Sequence, residues 1–374
     1  MGTGCFASSN RRMGGRMQEI GEIKRFGKHR NAFGFLRLLF ASLVIVSHTP
    51  EMADGNRSRE ILTQLFGTIS FGELAVDGFF IISGYLVVGS YLKQPHFLLY
   101  LEKRIKRIYP AFIAAWLFVL FIVAPLAGAK SSDIIHTASR SVYWMAVLGA
   151  PIVHGVFAGT PQPGLDNPMW TIAFEFRCYL LVLALGLVGA FRRPWIVLAL
   201  AVALLCAFEL LPGLPVYLVA TLRLTGIFLA GSLFYLWRDS IRFTNVRAAL
   251  AAIGMVSCLF VPKLAEPGLA VFGAYVIFAI ALGSGAGALT RINNRYDISY
   301  GVYLYAAPAE GLLLWYWPTI PLPLAALLTF SAACICGWIS WHALEKPIML
   351  YRRSTTLIID LANKSGYHFL QVKS

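Results

Sequence analysis

The sequence predicts an all-α fold: a polytopic membrane bundle of about ten transmembrane helices with both termini cytoplasmic. Three observations carry that expectation. Hydrophobic residues make up 58% of the 374, charged residues only 13%, and mean hydropathy is +0.67, whereas a soluble domain carries about a quarter charged residues. The apolar residues are gathered into runs of the length a bilayer demands, about 20 residues each. Finally, Lys and Arg concentrate in alternate loops, the asymmetry that marks the cytoplasmic side.

The first 30 residues carry seven Lys/Arg with several Gly and Ser and no apolar core. They read as a basic cytoplasmic tail and not as a cleaved signal peptide. Apolar runs follow at 33–53, 72–92, 108–128, 170–190, 194–212, 216–236, 247–263, 268–289, 298–317 and 321–343. An eleventh stretch, 141–157, is interrupted by Pro151 and His154. With ten spans and the N-terminus inside, the inner segments hold 24 Lys/Arg and the outer loops 5. If 141–157 spanned, Arg192, Arg193, Arg238, Arg242 and Arg247 would all face outward. The segment is therefore expected to lie at the interface or re-enter within a long outer loop, 129–169. Residues 31–350 form one transmembrane domain on this reading, and 351–374 a short cytoplasmic tail with no soluble domain appended.

The formal net charge of +14 does not point to nucleic acid, because the basic residues flank apolar spans and form no aromatic-interleaved basic face. The six cysteines give no disulfide framework. Cys334 and Cys336 fall on different helix faces, which is wrong for a metal pair, and the cysteines within apolar runs read as buried small hydrophobes. No metal is expected.

Ionisable side chains inside spans are costly and mark a functional site by default. Here they are Arg37 and His48, Glu73 and Asp77, Glu175 and Arg177, and Arg223, with Asp297, Glu310 and Glu345 near the ends of the last two spans. His48 lies about 16 Å further along its helix than Arg37, eleven residues at 1.5 Å each. In the expected topology Arg37 is near the cytoplasm, while His48, Glu73, Asp77, Glu175, Arg177 and Arg223 share the outer half. On the inner side, Arg104 and Arg107 in "LEKRIKRIYP" are one helical turn apart, so two guanidiniums can face one way, a geometry suited to phosphate. Gly78 and Gly84 in "VDGFFIISGYL" permit close approach of a neighbouring helix or an acyl chain, with Ser83 beside the second. "TPQPGLDNPMW" reads as an ordered loop lining an outer mouth.

These segments, in this order, resemble the acyltransferase-3 family of integral membrane acyltransferases. Arg37 and His48 match its Arg-x10-His feature. "VDGFFIISGYL" matches its FFxxSG segment and "RIKRIYP" its RxxRxxP segment. "MWTIAFEFRCYLL" supplies Trp170, Glu175 and Tyr179, "RLTGIFLAG" a later Arg-then-Phe-x-x-Gly, and "DISYGVYLYAAP" and "HALEKP" the closing segments. Thr171 stands where serine is usual, and Ala306 where the family often has histidine.

The resemblance implies an O-acyltransferase that moves an acetyl group from cytoplasmic acetyl-CoA to a hydroxyl of a cell-envelope or exported polysaccharide, or its lipid-linked precursor, in a bacterial inner membrane. It implies His48 as general base or transient acyl carrier, and Glu175 or Asp77 as the group that orients it. Arg223 or Arg177 would stabilise the oxyanion. Arg37, Arg104 and Arg107 would hold the phosphates of the donor, with Ser83, Tyr300 and Tyr303 along its channel. The partners implied are the glycan acceptor and membrane lipids; self-association stays open. A transporter or flippase of a lipid-linked glycan is the rival reading, weakened because no repeated halves with matching broken helices are visible. A non-catalytic sensor lacks any signalling domain.

Overall fold

The computed structural model describes residues 31–165 and 167–351; the two tails expected at 1–30 and beyond 351 lie outside the described residues. No strand occurs among the described residues. Seven helices are long and apolar enough to cross a membrane: α1 (Phe33–Asp54), α2 (Phe71–Lys93), α3 (Phe97–Leu126), α4 (Trp170–Leu187), α6 (Val216–Leu236), α8 (Pro262–Leu282) and α10 (Leu322–Leu350). Two further apolar helices are shorter, α5 (Pro194–Leu210) and α7 (Asn245–Leu259). The tenth, α9 (Ser299–Tyr316), has the length, but its Tyr and Gly residues, Pro308 and Glu310 dilute its apolar character. Each expected run thus meets a helix, while seven satisfy both criteria. At 1.5 Å per residue the 17 and 15 residues of α5 and α7 reach only about 22–26 Å, less than a 30 Å hydrocarbon core.

Local chemistry sets the helix limits. Ser70 and Glu73 close a capping box at the start of α2, satisfying two otherwise orphaned backbone donors. Gly55, in the left-handed region at φ 75°, ends α1. The third helix begins at Phe97, earlier than the expected 108, because the added turns bury Tyr100 and Ile108 while Lys103 stays exposed. Single π-turns interrupt α3 at Val119–Val123, α8 at Leu269–Gly273 and α10 at Trp341–Glu345. The 141–157 stretch is no continuous helix: a short helix, Ser141–Ala146, gives way to irregular chain.

The core forms where α2 packs on α1 and α6, and α9 on α1 and α10. The glycines explain how closely. A Cβ on Gly84 would lie 2.0 Å from the Phe228 carbonyl oxygen, and one on Gly231 2.1 Å from that of Ile81. So α2 and α6 touch backbone to backbone through a reciprocal pair of glycines. A Cβ on Gly78 would lie 2.4 Å from the Phe40 ring of α1. Both glycines of the FFxxSG region therefore serve helix packing, and no acyl chain is needed to explain them. Of the cysteines, Cys178 is buried but Cys206 is exposed, since its turn of α5 faces away from the bundle.

Candidate active site

Two cavities divide the polar residues of the bundle. The one on the side expected to face inward, hereafter the inner cavity, about 590 Å³, is lined by every residue expected to hold the donor: Arg37, Ser83, Arg104, Arg107, Tyr300 and Tyr303. Lys103, Lys106 and Glu175 also face it. The one on the side expected to face outward, hereafter the outer cavity, about 540 Å³, is lined by His48, Glu51, Arg57 and Trp170, with the loop residues Ile152, Gln162 and Gly164.

In the inner cavity, Arg37 (Nη1) and Arg107 (Nη2) reach the same Asp297 Oδ2, at 3.1 and 2.8 Å. Asp297 sits just before α9 and also accepts from Ser299 Oγ at 2.6 Å and Asn293 Nδ2 at 3.2 Å. Burial alone would raise its carboxyl, but the two guanidiniums and these donors hold it down to about 2. Arg107 also lies 3.6 Å from Glu345 and 5.5 Å over the Tyr300 ring. Arg104 donates to Ser90 Oγ at 3.2 Å and lies against the rings of Tyr100 and Tyr179. The Nε groups of Arg37 and Arg104 are buried donors with no partner. Buried donors ordinarily find an acceptor, and these are a fit for an anionic group entering the cavity. Deeper in, Ser83 Oγ donates to Glu175 Oε1 at 2.8 Å, and Tyr179 donates to the same oxygen at 2.6 Å.

In the outer cavity, His48 Nδ1 lies 3.1 Å from Glu51 Oε2, which also accepts from Arg57 Nε at 3.1 Å. A carboxylate only accepts, so Nδ1 donates to Glu51, and in the neutral imidazole Nε2 is then the basic nitrogen. Glu51, not Glu175 or Asp77, takes the imidazole. The reason is local: residues three apart on a helix are neighbours, while Glu175 and Asp77 are held elsewhere. The His48-x-x-Glu51 spacing was the signal in the sequence.

The outer-half ionisable residues do not form one cluster. Asp77, wholly buried, accepts from Arg223 Nη2 at 2.7 Å, and Arg223 Nε lies 2.6 Å from Glu266 Oε1. Arg223 thus reaches two carboxylates and lines neither cavity, so the structure does not bring it to His48, where an oxyanion role was expected. Arg177 lies against the Phe174 and Tyr217 rings at 4.9 and 4.8 Å and lines neither cavity as well. Ala306 packs with Ala41, Ile45, Val302 and Ala333, so apolar contacts fill the space around it. Among the described residues no group of His, Cys, Asp or Glu is placed to hold a metal ion.

Residues 30–342 match the acyltransferase-3 model, described as an acyltransferase domain. The chain belongs to this acyltransferase family. It is 26% identical over 355 residues to an O-acetyl transferase of Shigella phage Sf6, covering 88% of this chain and 99% of the relative. It is 28% identical over 371 residues to nodulation protein 10 of Rhizobium leguminosarum bv. viciae, covering 87% and 95%. An uncharacterized Haemophilus influenzae protein is 27% identical over 213 residues, covering half of this chain and 86% of that protein. No solved structure matches the chain. As an acyltransferase of this family, the protein carries its Arg37–His48 pair on one helix with the two ends in different cavities.

Proposed function

We propose that this acyltransferase moves an acetyl group from cytoplasmic acetyl-CoA to a hydroxyl of a cell-envelope or exported polysaccharide, or of its lipid-linked precursor, at the inner membrane. The observation that carries the reading is the pairing of a guanidinium-lined cavity with a separate cavity holding a carboxylate-oriented histidine. The name of the phage relative, an O-acetyl transferase, supports the same chemistry.

The residues divide the work. Arg104 and Arg37 offer unpartnered Nε donors to the donor's phosphates, Lys103 and Lys106 add charge at the cytoplasmic mouth, and Asp297 holds Arg37 and Arg107 on one oxygen in fixed directions. Tyr300 and Tyr303 flank the acyl-bearing arm. In the outer cavity His48 Nε2 removes the proton from the acceptor hydroxyl, and Glu51 balances the imidazolium that forms. The hydroxyl oxygen bonds to the thioester carbonyl carbon, the C–S bond breaks, and the departing thiolate takes up the proton. Trp170, half-exposed beside His48, gives a sugar ring an apolar face to rest on.

The test combines labelled acetyl-CoA turnover by the purified protein with mass spectrometry of envelope and secreted glycans from a deletion strain. Complementation with the native chain should restore acetyl groups, and His48→Ala should not, at equal protein level in the membrane. Unchanged acetylation in the His48→Ala strain would overturn the assignment.

A further inference from the structure

The two cavities share a wall, and the wall is thin. Tyr303 lines the inner cavity and Ala307 the outer one. They are one turn apart on α9, about 6 Å along the axis. Opposite, at the start of α4, Thr171 lines the inner cavity, while Trp170 and, in the turn before the helix, Pro168 line the outer. Two hydroxyls close the seam. Tyr303 donates to the Pro168 carbonyl at 2.7 Å, and Thr171 Oγ1, 2.6 Å from the Tyr303 oxygen, donates to it in turn. Thr171 also reaches the Pro168 carbonyl at 3.3 Å. The ring of Tyr303 is braced edge-on by Phe79 at 5.8 Å.

The wall also stands on a weakened turn. Pro308 lies within α9 and has no N–H for the Leu304 carbonyl, so the turn bearing Tyr303 and Ala307 lacks one main-chain hydrogen bond. A helix loosened there can rotate or shift the Tyr303 side chain without dismantling the rest of the bundle.

The geometry points to Tyr303 and Thr171 as positioning residues that form a gate between a donor cavity and an acceptor cavity, through which the acyl end of the thioester passes to reach His48. The inference rests on the acyl-transfer reading above. Closed, the gate keeps water of the outer cavity from the thioester. Open, it lets the acyl carbon cross the one turn of wall to the histidine side. A carbonyl and two hydroxyls make a seam that breaks and reforms with little reorganisation, whereas an interlocked apolar wall would not.

Two measurements test this, one of them independent of catalysis. In a chain freed of its native cysteines, Val76→Cys places a thiol on the inner cavity, and a membrane-impermeant methanethiosulfonate is confined to the face carrying His48. With the wall intact the thiol should react slowly. With Tyr303→Phe, and with Thr171→Val, it should react about tenfold faster, as expected for loss of a hydroxyl making one or two hydrogen bonds. In the second measurement, acceptor-free hydrolysis of labelled acetyl-CoA by the Thr171→Val chain, without the added cysteine, should rise by a similar factor. Equal labelling rates and equal hydrolysis with and without the hydroxyls would overturn the gate. A native chain that neither hydrolyses nor transfers from acetyl-CoA would overturn the acyl-transfer reading instead, and the labelling rates would still decide whether the wall opens.

Discussion

Arg37 and Arg107, seventy residues apart in sequence, reach one oxygen of Asp297 at 3.1 and 2.8 Å. The carboxylate bridges two guanidiniums that would otherwise repel, so it helps decide where both point.

Asp297→Asn should therefore raise the KM for acetyl-CoA about tenfold while kcat changes little, because the amide keeps the Ser299 contact but not the charge. Removing one member of a partly buried ion pair should also lower stability by roughly 3 kcal/mol, read as a lower melting temperature in detergent.

The same carboxyl sets a pH signature. Its value of about 2 in the fold lies below the ordinary carboxylate value, so the stabilisation is present above about pH 4 and disappears as pH falls through about 2. Thermal melts from pH 7 down to 2 should show the native chain losing its advantage over Asp297→Asn only at the acid end. Between pH 5 and 9 this link should leave donor KM flat.

Glu51→Gln should lower kcat on the order of a hundredfold and leave donor KM unchanged, since the amide can no longer balance an imidazolium on His48. Steady-state kinetics with saturating acceptor reads the split. A matching loss from Glu175→Gln with Glu51→Gln silent would return the orienting role to Glu175.

Arg104→Lys should raise the KM for acetyl-CoA about tenfold, with binding growing more sensitive to salt, because an ammonium can neither fork onto phosphate nor stack on Tyr100 and Tyr179. Titration of donor binding at two ionic strengths checks it.

Arg223→Met should act on folding and not on chemistry. It leaves Asp77 and Glu266 buried without their cation, a loss of about 3–5 kcal/mol visible as lower membrane yield and melting temperature. The triple change Asp77→Asn, Glu266→Gln, Arg223→Met should recover much of it. Specific activity of the surviving folded protein should be close to native.

How much of this was legible beforehand differs from residue to residue. The residues that line the inner cavity were readable because they advertise themselves: Arg104 and Arg107 by spacing, Arg37 by charge in an apolar run, Ser83, Tyr300 and Tyr303 by the segments around them. Glu51 was readable in principle from its place one turn after His48, yet lay at a helix end where a carboxylate looks like ordinary surface. The grouping of Asp77, Arg223 and Glu266 was not readable, because depth in a membrane ranks residues along one axis and says nothing of azimuth around the bundle.

The sequence by itself determined an all-helical membrane protein, the approximate place of each apolar helix, and the distance between Arg37 and His48, since those follow from composition, run length and helical rise. Only the tertiary structure decided which polar residues share a cavity. Glycine pairs bring α2 against α6 and α9 against α10, and that close packing rotates each helix to a particular face. Facing, unlike depth, is set by contacts between distant segments, which is why the expected outer cluster came apart, with His48 in one cavity, Glu175 in the other and Asp77 with Arg223 in a buried ion triad.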